Sequence, residues 1–151
     1  MKSLLASLLF ATTIITSSAA EPSATPASPS VAKDSRCFEL RTYYAAPGKL
    51  EALNARFRDH TLKLFAKHGM TNLGYWTPMD KNKGADNTLI YLLGHRSQDA
   101  AKKSFDAFRQ DPDWIAARKA SEEKAGGSLT LPAPDGVKSV FMNATDYSPT
   151  R

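Results

Sequence analysis

CFELRTYYAAPGKL, residues 37–50, is the stretch from which the fold can be read. Phe38, Leu40, Thr42 and Tyr44 alternate with Glu39, Arg41 and Tyr43, and a period of two predicts a strand with two chemically different faces. Pro47-Gly48 breaks it. From Lys49 to His68 the period lengthens: Leu50, Leu53, Phe57, Thr61 and Leu64 fall on one stripe at about 100° per residue, which predicts a helix. Gly69 follows where a left-handed C-cap is needed.

Toward the C-terminus, MTNLGYWTP (Met70–Pro78) predicts a second strand and DKNKGADN (Asp80–Asn87) a turn. TLIYLLGH (Thr88–His95) is apolar on both faces, which predicts a central strand. Ser97 is placed to cap a second helix carrying Ala101, Phe105 and Phe108. Asp111-Pro112 restarts a further helix, on which Trp114 is expected to pack against the sheet, and Gly126-Gly127 ends it. VKSVFMNA (Val137–Ala144) is the last predicted strand. The order β-α-β-β-α-(α)-β predicts a ferredoxin-like α+β fold, an antiparallel sheet with helices on one face. The other face is left open and aromatic, so two copies are expected to pack their open faces together as a homodimer.

Toward the N-terminus, Met1-Lys2, the apolar run SLLASLLFATTII and the small residues TSSAA predict a signal peptide over 1–20. The protein is therefore expected to be exported, periplasmic or secreted. Residues 21–35, rich in Pro, Ala and Ser, predict an extended tether, and 36–149 the domain. No cysteine directly follows the apolar run, so no stable membrane anchor is expected. The net charge of +5 falls to +4 once Lys2 is removed, a surplus too small and scattered to suggest a nucleic-acid partner. One cysteine excludes an intrachain disulfide framework and multi-cysteine metal sites. His60 and His68, eight apart on one helix, do not form a metal pair, and no metal or cofactor is expected.

FELRTYYAAPGKL (Phe38–Leu50), HGMTNLGYWTP (His68–Pro78), NTLIYLLGHRS (Asn87–Ser97), DPDW (Asp111–Trp114) and TDYSP (Thr145–Pro149) together resemble the NIPSNAP family. The resemblance implies a dimeric α+β barrel, an architecture shared with cofactor-independent monooxygenases, haem-degrading enzymes and small isomerases. It implies no reaction, because the family has no generally assigned one. Two positions depart from the resemblance: Tyr91 stands where relatives often carry histidine, and Lys102 where they often carry arginine.

The candidate ligand-binding residues are Glu39, Arg41, Tyr43, Tyr75, Tyr91 and His95. With Phe38, Leu40 and Tyr44 placed against the helices, Glu39, Arg41 and Tyr43 are expected to face a hollow between two subunits. There Arg41 would hold an anion, or simply form a structural pair with Glu39. Tyr91 and His95 share a face of the third strand with Leu89 and Leu93. His95, Tyr91 and Tyr43 are the candidate proton-transfer groups, and His95 would be the nominee for a haem ligand. Tyr75 or Trp76 offers a stacking platform. Cys37 is expected to be a free thiol or to pair between chains. These residues support either a module binding a small hydrophobic or anionic ligand or a protein partner, or a cofactor-independent oxygenase or isomerase acting on a small aromatic or lactone.

Overall fold

The alternation around Arg41 forms strand β1 (Cys37–Tyr44), and the later apolar runs form β2 (Thr71–Trp76), β3 (Thr88–His95) and β4 (Val137–Asn143). This computed structural model describes residues 30–151. The expected signal segment and residues 21–29 of the expected tether lie outside the described residues. The sheet runs β2-β3-β1-β4 with every neighbouring pair antiparallel, the ferredoxin-like order. β3 and β1 are the inner strands, as the two-sided apolar run of β3 predicts.

Between β1 and β2 the predicted long helix divides into α1 (Leu50–Arg56), a π turn (Phe57–Thr61) and α2 (Leu62–Lys67). After β3 come α3 (Gln98–Gln110) and α4 (Pro112–Lys124). Their ends follow the local chemistry. Ser97 Oγ accepts from the Ala100 amide at 3.1 Å, and Asp111 Oδ1 accepts from the Asp113 amide at 2.8 Å ahead of Pro112. Gly69 has φ +76° and its neighbour Met70 donates back to the Phe65 carbonyl at 2.9 Å. Gly69→Ala forces a Cβ into a left-handed backbone and is expected to cost about 1 kcal/mol, read as a lower urea midpoint with an unchanged slope.

The core lies between the sheet and the helices. Phe57, Phe65, Phe105 and Phe108 from the helices meet Leu89, Tyr91 and Leu93 from β3, with Phe65 and Phe108 ring centroids 4.9 Å apart. Trp114 corrects one expectation. It packs on Phe108 at 4.4 Å and beneath the Arg56 guanidinium, joining α4 to α3 and α1 instead of to the sheet. The end of the predicted tether also differs from expectation. Val31 bridges Thr145, and the Ala32 amide donates to the Ala144 carbonyl at 3.0 Å, so residues 30–35 lie along the C-terminal segment.

The opposite sheet face carries Leu40, Ile90, Leu92, Val140, Met142 and Trp76, none covered by a helix among the described residues. Val140 and Trp76 are each more than half exposed. The indole of Trp76 lies flat across Gly74, where any Cβ would collide with it.

Candidate functional site

Cross-strand register decides which β1 residues face the helices. Glu39 lies opposite Leu93, Arg41 opposite Tyr91, and Tyr43 opposite Leu89, and directly opposed residues share a face. Arg41 sits over the Phe105 ring at 4.4 Å, and Tyr43 meets Phe57 edge-on at 5.6 Å. The trio therefore points into the protomer's own interior between sheet and helices. This overturns the expectation that it faces a hollow between subunits. The more apolar set, Phe38, Leu40, Thr42 and Tyr44, takes the open face, because the helices bring enough aromatic surface of their own to build the core.

Glu39 is the organiser of the buried polar cluster. Its side chain is 1% exposed. Oε1 accepts from Arg41 Nη1 and from Ser139 Oγ, each at 2.7 Å, and Oε2 lies 3.2 Å from His95 Nε2. A carboxylate only accepts, so the His95 Nε2 proton points at it. Burial alone would raise the Glu39 pKa, but the bonds from His95 and Ser139 and the Arg41 charge outweigh it, and the carboxyl sits below its usual value. Glu39 holds its neighbours rather than waiting for a proton.

Of the other nominees, Tyr91 is fully buried, its hydroxyl without a hydrogen-bond partner among the described residues. Desolvation and the neighbouring Tyr43 phenol push its pKa well above normal. Tyr75 stacks on Tyr91 at 5.3 Å and donates to Asn72 Oδ1; burial raises its pKa too. His95, at 3% exposure, is buried rather than facing solvent. Cys37 is free at the start of β1, its thiol pushed up by partial burial. Lys102 is exposed and pairs with Asp106. His68 lies 2.6 Å from Asp111, which Lys67 also meets at 2.8 Å. Those two bonds, Lys67's the larger, hold the Asp111 carboxyl well below its usual range. This cluster ties the end of α2 to the start of α4.

A cavity of about 240 Å³ opens between β1, the π turn, α3 and α4. Arg41 and Tyr43 line it from the strand, with Phe105, Phe108 and Trp114 opposite. Glu39 and Arg41 also line a recess of about 390 Å³ beside β4. Tyr75, Tyr91 and His95 are not on the cavity wall.

Sequence reading missed Arg56, Arg118 and Glu122, all on that wall. The Arg56 side chain is 5% exposed, and a basic residue inside the Leu53–Phe57 apolar stripe was the signal available. The π turn explains its neighbours. In a regular α-helix Arg56 and Thr61 would lie about 140° apart, whereas the widened turn brings Arg56, Phe57 and Thr61 onto one wall, with Thr61 Oγ1 donating to the Arg56 carbonyl at 3.2 Å. Among the described residues no group of His, Cys, Asp and Glu could hold a metal, and no helix is long and apolar enough to cross a membrane.

The NIPSNAP family model matches residues 38–131, well over half of the chain and everything from β1 to the segment after α4. A NIPSNAP family protein of unknown function from Agrobacterium tumefaciens superposes with a TM-score of 0.63 at 17% identity, covering 80% of this chain and 98% of that one. A second NIPSNAP family protein from that organism gives 0.61 at 19% identity, covering 76% and 98%. An uncharacterized NIPSNAP-like domain protein from Burkholderia xenovorans gives 0.60 at 14%, covering 75% and 88%. No curated protein matches the chain at a significant level. At such identities the structural likeness shows the fold alone.

Proposed function

The chain belongs to the NIPSNAP family, and from that premise we propose that it is an exported homodimer binding a small anionic or hydrophobic molecule in the cavity between its own sheet and helices. Two open sheet faces would meet to close a dimeric α+β barrel. The site itself is then inside each protomer. The observation that carries the reading is Arg41: its guanidinium, held by Glu39 and backed by Phe105, reaches the cavity wall with Nε unpartnered among the described residues. A prepositioned donor beside apolar rings suits a ligand that combines polar groups with an apolar body. Export rests on the Met1–Ala20 pattern.

The enzymatic alternative loses two of its three nominees, because His95 and Tyr91 do not line the cavity; Tyr43 does, and Glu122 is the one carboxylate among the described lining residues. Binding is therefore the reading we adopt.

Native mass spectrometry of protein isolated from its own cells is the test. The expected species is two chains beginning at Glu21 plus a small molecule. Arg41→Ala should keep the two-chain mass and weaken the ligand about 10–100-fold, the range of a lost hydrogen bond to a charged group. A one-chain mass, or full ligand occupancy in the variant, overturns the proposal.

A further inference from the structure

The charges on the cavity wall do not balance. Arg41 is paired with Glu39, and Arg109 shares Asp106 with the exposed Lys102, each on its own oxygen. Arg56 and Arg118 share a single oxygen of Glu122, Arg56 Nη1 at 3.5 Å and Arg118 Nε at 3.2 Å from Oε1. Two guanidiniums against one carboxylate leave a surplus of one positive charge.

That surplus is buried on one side. The Arg56 side chain is 5% exposed, and neither its Nε nor its Nη1 makes a hydrogen bond among the described residues. A desolvated guanidinium with unspent donors is costly unless an acceptor arrives. The 3.5 Å approach of Glu122 is too long to serve as that acceptor. Arg56 also lies over the Trp114 ring at 5.2 Å, and Phe57, Phe105 and Phe108 continue the wall. At about 240 Å³ the space is below the roughly 300–1,000 Å³ of drug-sized pockets, the scale of one or two rings.

Resting on the binding reading above, we propose that the ligand is a monoanion with an aromatic body, its charged end taken by Arg56 and Arg118, and that Glu122 is the internal competitor for those guanidiniums. Glu122 keeps Arg56 partly neutralised when the cavity is empty. An incoming carboxylate meets the unspent donors and supplies the missing charge. Glu122 thereby sets the affinity threshold and, since a neutral acceptor meets the donors without supplying the missing charge, the preference for anions.

Calorimetric titration of the full chain with 2-naphthoate and with its neutral counterpart 2-naphthamide tests this. Glu122→Gln is expected to tighten naphthoate about tenfold, a coupling of ordinary size, while leaving the amide unchanged. Arg118→Gln, at an exposed side chain, is expected to weaken naphthoate alone and gives a second reading should Glu122→Gln fold poorly. Naphthoate binding Glu122→Gln but not the parent protein also supports the proposal. Equal naphthoate affinity in parent and Glu122→Gln overturns it, and so does equal affinity for the acid and the amide. The binding reading then still stands if Arg41→Ala weakens the ligand. If neither probe binds any form, the monoanion proposal falls, and the mass of the natively bound molecule decides the broader reading.

Discussion

Glu39→Ala is expected to lower the melting temperature by about 10–20 °C, the largest loss from any polar substitution in this domain. The change leaves Arg41 Nη1, Ser139 Oγ and His95 Nε2 facing an empty acceptor position. Removing one partner of a buried ion pair costs about 3–5 kcal/mol, because the remaining charge is stranded in a low dielectric, and a domain of this size loses a few degrees per kcal/mol. The same carboxylate gives a pH signature. Its folded pKa is lowered, so its contribution is complete above the unfolded value near 4.3 and is lost as pH falls from there through the folded value. Glu39→Gln should melt below the parent at pH 7 and show a shallower decline across that acid window. Calorimetry from pH 7 to pH 3 reads both effects. A Glu39→Ala variant melting within about 2 °C of the parent would show that the cluster stabilises nothing.

Leu40→Glu is expected to turn a two-chain particle into a single folded chain. Leu40 lies opposite Leu92 on one side and Val140 on the other, at the centre of the face that no helix of the described residues covers. A carboxylate there has no partner in an apolar seam, and dissociation should strengthen by about a thousandfold, or ~4 kcal/mol. Because the substitution faces away from the core, far-UV circular dichroism should stay unchanged. Sedimentation equilibrium gives the mass directly. A parent protein already running as one chain refutes the dimer, and an unchanged two-chain mass in the variant places the interface elsewhere.

The element order was legible because local chemistry marks it: the alternation of β1, Ser97 and Asp111-Pro112 as helix starts, and Gly69 as a stop. Which face of β1 meets the helices was not. Period-two alternation separates two sets of side chains without saying which layer lies over each. The usual preference for packing the more apolar set against the helices misled here, since Phe38 and Leu40 lie on the other face, Phe38 buried there beneath Arg36, while Glu39 is buried through its partners. The register that pairs Glu39 with Leu93 resolves this, and register needs the folded sheet. Arg41 and Tyr43 were found because they lie within one strand. Arg56, Arg118 and Glu122 were missed because they come together only when α1 and α4 pack. The π turn leaves no compositional trace, since Phe57–Thr61 reads as a continuous helix.

That turn has a consequence for how such a pocket diversifies. One surplus residue, housed as a bulge between two well-formed helical segments, can be lost or regained by a single codon while the β-scaffold keeps its sequence. Each such event rotates everything upstream of the bulge relative to everything downstream, so the breadth of the binding chamber changes in one genetic step that no point substitution reproduces.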